Sequence, residues 1–320
     1  MIKSRHIPGH TSVRLSTLRE ESRLAMDIFV PVGDRPVKYS AAGETLDADR
    51  MLRLRNFKYS KVWIRESDET KYRTYLTDLI SRAESDPKMD MASKTTIVSS
   101  AAESAASDIM EKPEDKGTYL GSLEHFERFA KFLKSNEGSF KEILRLSSVA
   151  GEQDYISHGV QVAALSLFLV EKLGLVRDDK HQTSIITGTF LHDIGSEKSE
   201  IPRGESSKLN PEQKKLWDKH PRIGADLLNN KDYVDKQVLD IILEHEEIPD
   251  GSGFPRALTG QKMDPVSIQV SLANSFDHTS QKYKADKTEA HKEFMKLWLG
   301  KYDLKHVELV GAFIKEFNKV

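Results

Sequence analysis

The stretch that decides the fold is Phe190-Leu191-His192-Asp193-Ile194-Gly195, followed by a second segment, His220-Pro221-Arg222-Ile223-Gly224-Ala225-Asp226-Leu227-Leu228. A His-Asp doublet at the end of an apolar helix can place an imidazole and a carboxylate on one metal ion, and the carboxylate can bridge to a second ion. A single histidine on an apolar helix is more often a hydrogen-bonded core residue. The order and spacing of several such segments therefore carry the argument.

Two more histidines lie in similar contexts. His158 opens an apolar helix that continues through Phe168 to Leu173, and His245 precedes a loop, Asp250-Gly251-Ser252-Gly253-Phe254-Pro255. Glycines in that loop allow a positive φ and a close approach of the backbone, which is typical of a substrate-facing or partner-docking loop. The isolated histidines have no acidic partner pattern and are interpreted as surface or packing residues: His6, His10, His125, His181, His291 and His306.

The composition excludes several classes of protein. The chain has 320 residues, no cysteine and a formal net charge of −2. This length favours two domains, the lack of thiols excludes disulfides and thiolate metal sites, and the charge gives no attraction to a nucleic acid polymer or an anionic membrane. No apolar run reaches the ~20 residues of a membrane span, and the N-terminus has no secretory signal, so we expect a cytoplasmic protein.

The pattern of the chain predicts an α+β protein with two parts. Residues 1–85 are predicted to form a small α/β module for regulation or docking. It has strands at Ile28–Val32, 37–39 and 61–64, a helix capped by Asp47 or Asp49, and a helix over 72–83. Residues 86–104, rich in Ser, Ala and Thr, are predicted to be a linker or a weakly packed connecting helix. Residues 105–320 show helical periodicity throughout and are predicted to be all-α.

Taken together, the motifs resemble the HD-GYP family, a bacterial signalling subclass of the metal-dependent HD phosphohydrolases. The resemblance covers residues 154–277 and is sharpest at LHDIG (191–195), Ile201-Pro202, Lys208-Leu209, HPRIGADLL (220–228) and DGSGFP (250–255). It implies a five-helix metal core with two or three divalent metal ions, often iron or manganese. It also implies hydrolysis of cyclic di-GMP (c-di-GMP) to pGpG or GMP.

The resemblance also implies roles for individual residues. His158, His192 and Asp193 would hold the first metal, and Asp193 would bridge to a second metal bound by His220 and His245. Glu246 and Asn274 occupy further ligand positions. Asp154 and Glu247 are candidates for orienting the histidines. Phosphate or substrate contacts are predicted for Arg203, Lys208, Arg222, Gly253 and Phe254, with solvated surface charge as the alternative for the three basic residues.

Five positions depart from the family pattern. Ser196 stands where the family has a lysine that is thought to protonate the leaving group, and Lys198 is the candidate substitute in catalysis. Glu246 replaces a histidine, Ile248 an arginine and Phe254 the tyrosine of GYP. Asn274 replaces an aspartate, and Asp277, one helical turn on, is an alternative ligand.

Three hypotheses follow from the sequence. The leading one is an atypical HD-GYP phosphodiesterase that hydrolyses a cyclic dinucleotide, most readily c-di-GMP. The second is a degenerate member that binds metal, with or without c-di-GMP, and acts in signalling or docking. The third is an HD hydrolase for another phosphoester. A protein partner such as a diguanylate cyclase is predicted at the 250–255 loop, and the N-terminal module leaves a homodimer open.

Overall fold

The computed structural model describes residues 7–33, 35–57, 59–136, 138–149, 155–199, 209–283 and 287–317. The chain divides into two compact units, Met1–Ser104 and Ala105–Val320. The strands that the structure describes all lie in the first unit and the second is helical, so the predicted α+β class is confirmed. Among the described residues, no helix is both long and apolar enough to cross a membrane.

The first unit is built on an antiparallel sheet with strand order β1-β6-β3-β4. The strands are β1 (His10–Arg14), β3 (Ile28–Val32), β4 (Arg35–Ser40) and β6 (Lys61–Arg65), and β2 (Ser22–Arg23) pairs with β5 (Thr45–Leu46). Alternation along β3 sends Ile28 and Val30 into the main core, whereas Phe29 packs with Trp63 in a second cluster. Three strands match the prediction, but β1 and the β2–β5 pair were missed.

Two helices of this unit contribute to the core beneath β3. The first, α1 (Ala48–Asn56), is N-capped by Asp47, whose carboxylate accepts a hydrogen bond from the Arg50 amide at 2.8 Å. The second, α2 (Glu69–Ser85), extends the helix predicted over 72–83 in both directions. Both helices place leucines in the same core as β3, among them Leu54 and Leu76.

The segment predicted as a linker is mostly helical. Helix α3 (Met91–Glu111) passes through the division between the units, which falls between Ser104 and Ala105. Its Val98, Ala101 and Ala102 are at most 2% exposed, so it is not weakly packed. Serine and alanine signalled a flexible connection in the sequence, whereas here their small side chains allow close packing around the helix. The predicted boundaries 1–85 and 86–104 otherwise stay a prediction.

The described residues of the second unit form eleven further helices. They are α4 (Lys116–Ser135), α5 (Gly138–Val149), α6 (Tyr155–Lys172), α7 (Asp179–Leu191), α8 (Ile194–Lys198), α9 (Pro211–Trp217), α10 (His220–Leu228), α11 (Lys236–Glu244), α12 (Pro265–Ser280), α13 (Lys287–Trp298) and α14 (Leu304–Phe317). Helix α7 packs against α4, α6 and α11, and α12 packs against α6 and α11. The predicted metal ligands lie on or beside this central group and on α10.

Candidate metal centre

Four histidines and one aspartate from separate helices meet in the interior of the second unit. His158 lies in the first turn of α6, His192 and Asp193 follow the end of α7, His220 begins α10 and His245 follows the end of α11. All five are at most 4% exposed. Their potential ligand atoms form two triads, His158 with His192 and Asp193, and Asp193 with His220 and His245, each within 4.8 Å. Asp193 is common to both triads.

Three of the imidazoles are oriented by the end of the preceding helix. In His192, His220 and His245, the Nδ1–H donates to the carbonyl oxygen three residues earlier. These acceptors are Thr189 at 2.6 Å, Trp217 at 2.6 Å and Ile242 at 2.8 Å. The last carbonyls of a helix have no partner within the helix, so a histidine just beyond it can satisfy one of them. Because Nδ1 carries the proton, a lone pair at Nε2 points into the cluster.

In neutral rings whose proton is on Nδ1, the facing Nε2 atoms carry only lone pairs. The Nε2 atoms of His220 and His245 lie 2.8 Å apart, and in both rings Nδ1–H already donates to a backbone carbonyl. The Nε2 of His192 is buried without a hydrogen-bond partner among the described residues. Unpaired buried acceptors are costly, and a cation between them removes the cost. The donor set therefore fits divalent metal ions of the kind that imidazole and carboxylate ligands bind.

The charges of the cluster agree with this fit. Burial holds the pKa of His192 well below its ordinary value, so the ring stays neutral and able to bind metal. Burial alone would raise the pKa of Asp193, but the surrounding histidines hold that pKa well below its ordinary value. Its Oδ1 lies 3.2 Å from His220 Nε2 and 3.7 Å from His245 Nε2, whereas Oδ2 lies 3.7 Å from His192 Nε2. The two carboxylate oxygens thus face the two triads separately.

The two candidate metal ligands on α12, Asn274 and Asp277, lie at opposite nitrogens of the His158 ring. The Oδ1 of Asn274 faces the Nε2 of His158 at 2.9 Å, so the amide oxygen points into the cluster. Asp277 lies behind His158 and accepts its Nδ1–H at 2.6 Å. Burial opposes protonation of His158, but the Asp277 carboxylate raises its pKa above the ordinary value, so that without a cation Nε2–H donates to the Asn274 oxygen. In the neutral ring that binds a metal, Nε2 and this oxygen would both be acceptors. Asn274 has the position of a ligand, and Asp277 that of an orienting group.

Glu246 lies at the edge of the cluster. One carboxylate oxygen is 3.9 Å from His245 Nε2, and it accepts a 3.4 Å hydrogen bond from the Asn274 amide. Burial raises the pKa of Glu246 to about 7, against the opposing influence of His245. A cation favours the ionised form of a neighbouring carboxylate, so Glu246 has the position and chemistry of an additional oxygen ligand.

Two glycines bring α8 against α10. A Cβ on Gly195 would lie 2.0 Å from the carbonyl oxygen of His220 and 2.7 Å from the amide nitrogen of Gly224. A Cβ on Gly224 would in turn meet Ile194 and Ile242 at 3.0 Å. This close approach holds Asp193, at the start of α8, next to His220, at the start of α10. The glycines of the LHDIG and HPRIG motifs therefore allow the close helix packing that positions two of the candidate metal ligands.

Glu247 does not orient a histidine, contrary to the sequence-based interpretation. Its buried carboxylate accepts hydrogen bonds from the amides of Arg256 at 2.7 Å and Leu258 at 2.8 Å. These bonds fix the loop that follows the GFP segment. Gly253 is equally constrained, because a Cβ there would lie 2.3 Å from the amide nitrogen of Ile248. The loop is thus built around Glu247 and not around the metal ligands. Asp154, the other candidate for orienting a histidine, lies outside the described residues.

Phe254 is the predicted substrate residue that lies next to the cluster. Its ring centroid is 6.1 Å from that of His220, and the Lys214 ammonium lies 5.4 Å from the same phenyl ring. Arg222 pairs with Asp226 on the exposed side of α10, at 3.0 Å. Arg203 and Lys208 lie outside the described residues. Of the predicted substrate residues that the structure describes, Phe254 is the one whose ring packs against a ligand histidine.

Lys198, the candidate to replace the lysine of the family pattern, contacts a backbone carbonyl. The Lys198 side chain is exposed, and its ammonium donates to the backbone carbonyl of Glu111 at 3.4 Å. Ser196 is fully buried, and its hydroxyl has no hydrogen-bond partner among the described residues. The two-residue offset from 196 to 198 turns the side chain by about 200° around a helix of 3.6 residues per turn. Lys198 therefore points away from the face that Ser196 occupies.

His278 is a further histidine at the site that the sequence motifs did not indicate. Its exposed ring packs against His158, with the centroids 4.9 Å apart. The sequence contains a pattern that could have indicated it, because His278 directly follows Asp277 in the α12 motif. His181, by contrast, is a packing residue as predicted, since its Nε2 is paired with Gln237 at 2.9 Å.

Comparison with known proteins agrees with this architecture. The HD domain family matches residues 142–303. A cyclic di-GMP phosphodiesterase of Thermotoga maritima is 33% identical over 182 residues, which cover 54% of this chain and 48% of the relative. The cyclic di-GMP phosphodiesterase response regulator RpfG of Xanthomonas campestris is 30% identical over 159 residues, covering 48% and 37%. The chain thus spans less than half the length of these two curated relatives.

The structural comparison extends over both units. Bd1817, described as an HDG"Y"P protein from Bdellovibrio bacteriovorus, has a TM-score of 0.83 and 30% sequence identity, and the match covers 96% of this chain and 99% of Bd1817. The chain therefore belongs to the HD-domain family, and within it to the HD-GYP proteins.

Proposed function

We propose that the chain is a metal-dependent phosphodiesterase that hydrolyses a cyclic dinucleotide, c-di-GMP, to pGpG or GMP. The observation that carries the proposal is the pair of facing Nε2 atoms of His220 and His245, 2.8 Å apart with both protons on Nδ1. The names of the curated relatives support the substrate.

Each residue of the cluster has a defined task in this proposal. His158, His192 and Asp193 would hold one metal, and His220, His245 and the second oxygen of Asp193 would hold another. Asn274 and Glu246 would supply further oxygen ligands. A pair of divalent ions, iron or manganese, supplies a hydroxide at neutral pH and offsets the charge that builds up on the phosphate oxygens. The buried ligands exclude bulk water around that charge.

The protein contributes substrate positioning as well. The partly buried Phe254 ring next to His220 offers a stacking face for a base. The Lys214 ammonium lies over the same ring and could contact a phosphate oxygen of a nucleotide bound there. The exposed Asp250 and Ser252 of the DGSGFP loop leave it accessible to a protein partner such as a diguanylate cyclase.

A specific observation favours the alternative of a metal-binding member without turnover. Ser196 is neutral and fully buried where the resemblance implies a lysine, and the Lys198 ammonium contacts Glu111 instead. A site without that cation has weaker stabilisation of the leaving group. In this alternative the same ligands hold metal and the chain acts through binding.

The test is metal analysis of the purified protein beside a c-di-GMP hydrolysis assay, with Fe(II) or Mn(II) supplied anaerobically. Near two metals per chain with pGpG or GMP formed supports the phosphodiesterase. Asp193→Asn is the matched control, because it keeps the size of the side chain and removes the charge common to both triads. Two metals without product would favour the binding alternative, and no metal would refute both.

A further inference from the structure

One of the four cluster histidines is oriented differently from the other three. His192, His220 and His245 each donate Nδ1–H to a backbone carbonyl at a helix end. His158 donates instead to a carboxylate, Asp277 Oδ2, at 2.6 Å. The same oxygen accepts a 2.9 Å hydrogen bond from the Gln281 side-chain amide, which fixes the carboxylate.

The position of His158 in its helix explains the difference. His158 is the fourth residue of α6, so the carbonyl three residues earlier belongs to the first residue of the same helix. Carbonyls at the start of a helix accept hydrogen bonds from amides four residues later. Within the described part of α6, no free helix-end carbonyl is therefore offered to its Nδ1. The tautomer has to be fixed by a side chain from another element, and Asp277 on α12 supplies it.

Asp277 also places a negative charge beside the His158 half of the cluster. Asn274, whose oxygen lies 2.9 Å from His158 Nε2, is a neutral group. One helical turn later, the buried Asp277 places a negative charge on the far side of the same imidazole. A carboxylate hydrogen-bonded to the distal nitrogen of a ligand histidine makes that ligand more basic.

We propose that Asp277 is a positioning residue for the His158 half of the metal centre, where it fixes the ligand tautomer and makes the imidazole a more basic ligand. The proposal rests on the metal centre of the proposed function. It makes the two halves unequal, because the half containing His158 depends on a side-chain carboxylate. The half containing His220 and His245 depends on backbone carbonyls, which no substitution removes.

The inference is tested with Mn(II) alone, by calorimetric titration and by the electron paramagnetic resonance signal, which separates coupled from isolated Mn(II). Asp277→Asn keeps an acceptor for Nδ1–H and removes the charge, and we expect about tenfold weaker binding of one Mn(II) per chain. Asp277→Ala removes both, and we expect about hundredfold weaker binding of that ion, with an isolated Mn(II) signal.

Two further variants make the test specific. Asp264→Asn is the matched control, because Asp264 caps the other end of α12 and asparagine is an equally good cap. We expect two Mn(II) with unchanged affinity in this control. Asn274→Asp should rescue Asp277→Asn, since it returns the charge directly to the ligand shell, and should rescue Asp277→Ala less. Such a rescue also shows that the variant is folded.

The outcomes separate the inference from the function on which it rests. A wild-type protein that binds no Mn(II) would refute the metal centre itself. Two Mn(II) bound by the wild type, with both affinities unchanged within twofold in Asp277→Ala, would overturn only the role of Asp277. Equal weakening of both ions would also overturn it, because the proposal requires an effect on the His158 half. Tighter binding in Asp277→Asn would show that Asp277 holds His158 as an imidazolium away from the metal.

Discussion

The crossing of α8 and α10 gives a sharp prediction for Gly195→Ala. The added methyl carbon would lie 2.0 Å from the His220 carbonyl oxygen, which is backbone and has no other rotamer. An ordinary carbon–oxygen contact needs more than 3 Å, so the helices have to separate by roughly 1 Å or more. Overpacking of this kind costs about 3 kcal/mol. For a unit of this size, that lowers Tm by roughly 10 °C.

The same displacement affects the site. Asp193 and His220 lie on the two sides of the crossing, with Oδ1 and Nε2 3.2 Å apart. A misplacement of about 1 Å at a reacting centre costs about a hundredfold in rate. We therefore expect Gly195→Ala to lose about a hundredfold in c-di-GMP hydrolysis, and to lose affinity for the metal that the His220 triad holds. Thermal melts, Mn(II) titration and the hydrolysis assay measure the three effects.

A matched control is Gly121→Ala, an exposed helical glycine of α4 whose Cβ would meet nothing within 4 Å. Helix propensity should make this control more stable by about 0.5–1 kcal/mol, without an effect on metal binding. If Gly195→Ala melts within 2 °C of the wild type and binds metal equally well, α8 and α10 can separate at this point at little cost. The close packing at Gly195 would then not be what holds Asp193 next to His220.

Further predictions concern the loop, the metal and the first unit. Glu247→Gln leaves one loop amide without an acceptor, so we expect the unfolding free energy in denaturant melts to fall by about 1–3 kcal/mol while the metal stoichiometry stays unchanged. A loss of metal at unchanged stability would instead favour a role of Glu247 at the histidines. Removing metal with a chelator should lower the unfolding free energy by about 2.7 kcal/mol relative to protein with free metal at a hundred times Kd, and the Asp193→Asn variant should show no such difference. Hydrogen bonds from Lys38 and the Ala42 amide hold the pKa of Asp27 below its ordinary value. Because the folded value is the lower one, this stabilisation is present above about pH 4 and is lost below it, and Asp27→Asn should flatten the dependence in melts from pH 6 to pH 3.

The sequence predicted the fold well where the determining pattern lies within a single segment of the chain. Helical periodicity located the second unit, and Asp47 was one of two predicted caps for α1. It failed at β1, a short polar strand with sequence HTSVR that becomes a strand only by pairing with β6. At α3 it left a linker and a weakly packed connecting helix open, because small residues are typical of a linker and of a tightly packed helix alike. In both cases a tertiary partner decides the structure, and a single segment does not contain that information.

The candidate site shows the same limit more clearly. The motifs indicated which histidines and which aspartate would meet, because metal ligands are restricted to few residue types. The sequence did not indicate what orients each ring. Three of the partners are backbone carbonyls, which no residue type marks, and the fourth, Asp277, was interpreted as an alternative ligand. The role of Lys198 in place of a lysine two positions earlier stays a prediction, and the structure shows its ammonium at the Glu111 carbonyl, in the different direction that a two-residue offset gives on a helix.

The orientation of the histidines links the helical scaffold to the chemistry of the site. A helix end offers a free carbonyl at a fixed distance and direction, so a histidine placed there is oriented by the helix itself. Three helix ends, at His192, His220 and His245, thereby aim three lone pairs at one region before any metal arrives. Without a cation those buried lone pairs oppose folding, and with one they favour it. The apolar helices that bury the site thus make metal binding part of the stability of the unit, and substitutions that move a helix end should weaken both together.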